Sequence, residues 1–200
     1  LCIFIPVFFY SFGINSWFMN PITSPIGLAG ITANAAAFEQ GLQPTNIYTS
    51  NVTFSVIFIG GMGMTLALNI LMLRSRSKRI KKFGQIAMIP SLFNINEPLV
   101  YGAPIALNPI LMIPMWINAL VLPTIAWLAF SSGLVTIPHA VMNVNQLPMP
   151  ICSFLATHGD FRAVILVVGM FLLSWLIWWP FFKAHENKMV KEEMEMEAND

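Results

Sequence analysis

Cysteine and charge are the two things this sequence has little of. Two cysteines in 200 residues, Cys2 and Cys152, are too few and too isolated for a disulfide framework or a metal cluster, and both read as packing residues. Charged residues make up 10 % of the chain, against about 25 % in a typical soluble domain. Apolar residues supply 56 % and the mean hydropathy is +0.70, so folding in water would leave too much apolar surface uncovered. The expected solvent is a bilayer and the expected class an all-α membrane protein. A net charge of +1 excludes a general attraction to nucleic acid. The histidines show no Cys, Asp or Glu at ligand spacing, so no metal and no cofactor is expected. His139 beside Pro138 reads as a packing residue, His158-Gly159-Asp160 as a surface turn, and His185 as solvated.

The charge that is present is segregated. Six of the ten basic residues lie between Arg74 and Lys82, and six of the nine acids between Glu186 and Asp200. Leu1 to Phe9 follows no initiator Met and has no basic leading region, so it does not read as a signal peptide. It reads as the trailing part of a membrane segment, and the chain as a portion of something longer. Phe54 to Leu73, charge-free, has about the 20 residues needed to span. Ile105 to Phe130 is also charge-free, with Pro109, Pro114 and Pro123 predicted to kink it. Ala163 to Phe182 is the cleanest span, closed by the interfacial aromatics Trp175, Trp178 and Trp179.

Two stretches are apolar but broken. Phe83 to Pro104 holds Pro90, an Asn-Glu-Pro run and Gly102. Ser131 to Thr157 holds Pro138, Pro148 and Pro150, with Asn143, Asn145 and Gln146 between them. Irregular backbone at bilayer depth survives only where it lines a cavity or is buried in protein. Two such stretches in one chain point to a transporter binding site. Arg74 to Lys82, and again Lys183, Lys188 and Lys191, mark the cytoplasmic side. An even number of crossings must separate two markers on one side. Ile105 to Phe130 and Ala163 to Phe182 supply two, which leaves the broken stretches as two re-entrant hairpins. Asn20 to Ser50 reads as an interfacial connection with a short helix around Thr32 to Gln40. The expected division is a membrane-embedded part, 1–183, and a polar cytoplasmic tail, 184–200, frayed or disordered.

Within the first break, Asn94-Ile95-Asn96-Glu97-Pro98 places a carboxylate between amides inside apolar sequence. Upstream of the tail only Glu39, Glu97 and Asp160 are acidic, and Glu97 alone is embedded in membrane-like sequence. A charge at that depth is costly and persists where it faces protein or a wet cavity. Glu97 is therefore the candidate catalytic and substrate-binding residue, with Asn94 and Asn96 as further ligands for hydroxyl groups. The structural reading stands beside it: Asn followed by Glu-Pro is also how a helix begins.

These residues carry a resemblance. Phe93-Asn94-Ile95-Asn96-Glu97-Pro98-Leu99-Val100-Tyr101-Gly102 and Pro104-Ile105-Ala106-Leu107-Asn108-Pro109 resemble the signature of enzyme IIC, the membrane subunit of the bacterial sugar phosphotransferase system, in its lactose/cellobiose/diacetylchitobiose group. Gly60-Gly61-Met62-Gly63-Met64-Thr65 is similar to that family's Gly-rich turn within a span. Phe154 to Thr157 with Gly159 to Val164 resembles its last re-entrant exit, and Trp179 to Lys183 its final helix end. The resemblance implies transmembrane helices with two re-entrant hairpins, of which this chain would be the C-terminal, sugar-binding portion. It implies a disaccharide substrate, a phosphorylated IIB partner fed by IIA, a bacterial inner-membrane location among lipid, and a homodimer of the full-length protein. The chain itself would carry no phosphoryl group. Two positions depart from the pattern. Asn15, in Phe12-Gly13-Ile14-Asn15-Ser16, stands where members often have a sugar-binding His. Asn145-Gln146-Leu147 stands where they often have Trp-Thr-Thr. Asn15 is retained as a candidate hydroxyl ligand, with a helix-interface amide as the alternative. A secondary transporter using the same carboxylate for proton coupling, and a membrane-structural fragment, remain as competing functions. The basic run 74–82 reads as a topology signal touching anionic lipid, or as the dock for IIB.

Overall fold

The computed structural model describes residues 1–103, 105–142 and 147–198, all their side chains except that of Ser16. Among them there is helix and no strand. Helix α1 (Phe4–Ser11) leads through a 3-10 turn (Ser16–Met19) into α2 (Asn20–Glu39). The short α3 (Ser50–Val52) passes into a π-helical turn (Thr53–Ile57), and after a glycine-rich turn come α4 (Leu66–Leu73), α5 (Lys78–Leu92) and α6 (Glu97–Gly102). Helices α7 (Pro109–Ser131), α8 (Met149–Ala156) and α9 (Phe161–Glu197) complete the chain.

Local sequence sets the helix starts. Asn108 accepts from the Ile110 N–H at 3.2 Å with Pro109 in the first turn of α7, and the Asp160 carboxylate accepts from the Arg162 N–H at 3.0 Å at the start of α9. Two of the helices, Pro109–Ser131 and the α9 region Phe161–Ala198, are long and apolar enough to cross a membrane.

Those two helices pack antiparallel and organise two cores. Early α7 (Leu111, Met115) meets late α9 (Trp178, Phe182) together with α4, α5 and α6. Late α7 (Leu122, Ala126, Phe130) meets early α9 (Ala163, Val167, Met170) together with the π-turn and α8. Full burial of side chains the size of Phe182 contributes roughly 1.5–3 kcal/mol each. The outer face of α9 presents Ile165, Val168, Leu172, Leu176 and Trp179, all exposed. That apolar stripe, spaced at three and four residues, suits a hydrocarbon surround.

Four expectations change. Phe54 to Leu73 is not one helix: its hydrogen-bonding ladder stops at Ile57 and resumes at Leu66, because Gly60, Gly61 and Gly63 take left-handed backbone between. Asn20 to Ser50 contains a 20-residue helix rather than a short one, with Pro21 in its first turn and continuing through Pro25. The stretch beyond Lys183 is not frayed: α9 runs unbroken to Glu197, its acids accepting from the Arg76 N–H and the Ser77 hydroxyl. His185 is not solvated: it is 8 % exposed and its Nδ1 meets the Asn108 carboxamide at 3.2 Å. Asn143, Asn145 and Gln146 of the second break, and Pro104, lie outside the described residues.

The segregated charges meet in space. The Glu186 carboxylate, fully buried, accepts from the Arg76 backbone N–H and from Lys183 Nζ, both at 2.8 Å. Glu193 caps α5 from a distance in sequence, accepting from the Ser77 hydroxyl (2.7 Å) and from the backbone N–H groups of Lys78 (3.1 Å) and Arg79 (3.0 Å). A carboxylate at a helix N-terminus satisfies orphan donors and complements the helix dipole. The basic run and the C-terminal cations therefore sit at one end of the α7–α9 pair.

Candidate functional site

The breaks in the helices converge. Asn94 sits in left-handed backbone (φ 62°), a conformation Asn tolerates better than most residues. Its carboxamide oxygen accepts the Gly60 N–H at 3.1 Å, and its amide donates to the Leu147 carbonyl at 2.9 Å. Asn94 thus joins the glycine-rich turn, the first break and the segment before α8.

Asn96, 3 % exposed, is engaged on every side. Its oxygen accepts from the Tyr10 hydroxyl at 3.2 Å, and its amide donates to the Met62 carbonyl and to Thr65 Oγ1. Thr65 in turn donates to the Gly60 carbonyl at 2.8 Å. Only glycine fits at 61: a Cβ there would stand 2.6 Å from Asn96 Cγ, on backbone at φ +95°. The middle of α9 grips the same turn, with Ser174 Oγ and Trp178 Nε1 both donating to the Met64 carbonyl at 3.2 and 3.1 Å.

Glu97 opens α6, directly after this fixed amide. It borders a cavity of about 630 Å³, within the range of small-molecule sites. Tyr10 and Tyr101 meet edge to face at 5.7 Å beside it. No hydrogen bond or ion pair among the described residues takes up the Glu97 carboxylate. The cavity wall also carries Asn94, Asn96, Tyr48, Phe54 and Phe93. An anionic acceptor among amides, hydroxyls and aromatic faces suits a polyhydroxylated solute.

The expected site residues separate into three situations. Glu97, Asn94 and Asn96 lie on the cavity wall, with the carboxamides of both asparagines bonded to protein. Asn15 accepts from the Trp17 N–H at 3.0 Å, caps the 3-10 turn, and is not on that wall. The position of the replaced Trp-Thr-Thr falls largely outside the described residues. Sequence reasoning missed α2, whose Asn20, Thr23, Ser24 and Gly27 line the cavity. Their spacing of three, four and seven was the available signal. His139 and His158 stack at 3.8 Å beside Phe38, away from the cavity, and no group of three or more metal-ligating side chains exists among the described residues.

The architecture is an all-helical one in which interrupted helices meet at a cavity lined by aromatic and aliphatic side chains and a few polar groups. The profile of the family "Phosphotransferase system, EIIC" matches residues 1–119. The chain belongs to that family. It is 35 % identical over 199 residues to the putative permease IIC component YwbA of Bacillus subtilis (strain 168), covering 98 % of this chain and 45 % of the relative. It is 35 % identical over 175 residues to the cellobiose-specific EIIC component of Geobacillus stearothermophilus, covering 86 % and 39 %. The crystal structure of the transporter ChbC, the IIC component of the N,N'-diacetylchitobiose-specific phosphotransferase system, superposes with a TM-score of 0.89 at 32 % identity, over 96 % of this chain and 46 % of that one. The chain spans less than half the length of these relatives.

Proposed function

We propose that this chain is the sugar-binding portion of a phosphotransferase-system permease that binds and translocates a disaccharide of the cellobiose, diacetylchitobiose or lactose type. The observation that carries it is the Glu97 carboxylate: it lies on the cavity wall, directly after the buried Asn96 clasp, with no hydrogen bond or ion pair among the described residues. A protein positions an anion this way when a ligand supplies the donors.

In this reading Glu97 accepts hydrogen bonds from sugar hydroxyls near C6, and Asn94, tied to Gly60 and Leu147, shapes the same wall as a second-line ligand. When a IIB protein presents its phosphocysteine, the C6 oxygen attacks phosphorus, the S–P bond breaks, and the thiolate leaves. Glu97 takes the hydroxyl proton. Phosphoryl transfer needs mostly positioning and charge neutralisation, so the chain need carry no phosphoryl group itself. One relative of Staphylococcus aureus is a lactose-specific EIICB component, which supports a IIB partner. IIA upstream, a homodimer of the full-length protein and a multi-pass inner-membrane location follow from the same reading. Residues 1–183 form its membrane-embedded part, with the two breaks as re-entrant hairpins, and 184–200 its cytoplasmic end.

The test is reconstitution of the chain, within its full-length protein, in proteoliposomes with phosphorylated IIB and labelled cellobiose. Cellobiose 6-phosphate inside the vesicles, dependent on IIB, is the expected product. Entry of unmodified sugar that ignores IIB would overturn the reading in favour of a facilitator.

A further inference from the structure

Helix α2 carries a second set of polar groups that the proposed chemistry does not use. Asn20, Thr23, Ser24 and Gly27 repeat at three, four and seven residues, and a helix turns about 100° per residue, so they form one narrow stripe. All four border the cavity that holds Glu97. Ile22 and Ile26, on the opposite side of the helix, are exposed. The helix is therefore polar toward the cavity and apolar away from it.

Its distance from the rest of the wall is fixed by glycine. A Cβ on Gly30 would stand 2.6 Å from the Tyr48 carbonyl oxygen, so α2 seats directly on the 48–50 segment, whose Tyr48 and Ser50 line the same cavity. At its start, the Asn15 cap holds Trp17 on the cavity edge, where the indole is 64 % exposed. Phe9 and Phe18 pair with each other, and Trp116 with Phe8, but no aromatic partner covers the Trp17 ring among the described residues. Ser24 donates to Asn20 Oδ1 at 2.6 Å, which fixes that carboxamide and leaves its NH₂ directed away from the bond.

We infer that Trp17 and the α2 stripe form a separate subsite for the sugar ring that Glu97 does not address. The Trp17 face stacks on the C–H face of that ring, and the Asn20 amide donates to its hydroxyl oxygens. Both are specificity-determining contacts for a glycan of two or more rings over a monosaccharide. The inference rests on the sugar-binding reading of the cavity.

The experiment is a binding titration of cellobiose and of glucose to the protein in lipid nanodiscs, for wild type, Trp17→Ala, Asn20→Ala and Glu97→Gln. Wild type should prefer cellobiose. Trp17→Ala should weaken cellobiose by about tenfold, the equivalent of one stacking contact, with glucose unchanged within about twofold. Asn20→Ala should move in the same direction by less, and Trp17→Phe should restore most of the loss. Glu97→Gln should weaken both sugars. Wild-type cellobiose affinity in Trp17→Ala, or equal loss of both sugars, would overturn the α2 subsite while leaving the Glu97 site standing. Wild type binding neither sugar would overturn the cavity reading itself.

Discussion

The Asn94 carboxamide oxygen accepts the Gly60 N–H at 3.1 Å, across 34 residues, and so joins two interrupted helical segments at the edge of the cavity. One residue further on but one, Asn96 repeats the tie from the buried side, to Met62 and Thr65. Both amides lie on the wall, Asn94 half-buried and Asn96 almost fully buried.

Asn96→Ala should therefore act on the fold. It strands the Met62 carbonyl and removes the acceptor of the Tyr10 hydroxyl, at about 1–3 kcal/mol for each buried group left unpaired. Thermal unfolding in detergent, followed by intrinsic fluorescence, should show a lowered midpoint. A midpoint equal to wild type would contradict the clasp.

Gly61→Ala should fail by a different route. The added carbon collides with the Asn96 side chain and forces alanine into left-handed backbone, a strain of roughly 1–3 kcal/mol before any displacement of Asn96. The same unfolding assay should show the loss, and combining Gly61→Ala with Asn96→Ala should cost less than the sum, because one change relieves the collision of the other.

Glu97→Gln keeps the shape and removes the charge. With no hydrogen bond or ion pair to lose among the described residues, its stability should stay within about 0.5 kcal/mol of wild type. Sugar phosphorylation by IIB should fall to background in a coupled assay. Normal product formation by this variant would remove Glu97 from the chemistry.

Acid should loosen the end of α9. The Ser77 hydroxyl and the α5 N–H groups hold the Glu193 carboxyl below its usual range. A depressed carboxyl stabilises the folded form above its unfolded pKa, about 4.3 for Glu, and that contribution fades as pH falls through the lower folded value. Hydrogen exchange at the Lys78 and Arg79 amides should accelerate below about pH 4 after correction for intrinsic rates. Glu193→Gln should show the faster exchange already at neutral pH.

The place of Glu97 in the fold was legible. A lone carboxylate in apolar sequence, bracketed by asparagines, announces its own expense, and Glu97 does border the cavity. The placing of Arg74–Lys82 and the C-terminal lysines at one end was also readable, since charge obeys a sidedness rule; the contact of Arg76 with Asn187 agrees with it. What could not be read was pairing over long separations. The acids of 186–197 look solvated until Ser77 and Arg76, some 110 residues earlier, are seen beneath them. Helix α2 looked like a connector because its polar and apolar residues average to a mild composition, and only their angular arrangement reveals two faces. Phe54 to Leu73 looked continuous because a charge count is blind to three glycines.

The Met64 carbonyl, held by Ser174 and Trp178, makes α9 a strut. About two turns further along the same helix, the Glu186 carboxylate accepts the Arg76 N–H. One helix therefore anchors both the turn that Asn94 and Asn96 clasp and the segment that leads into α5.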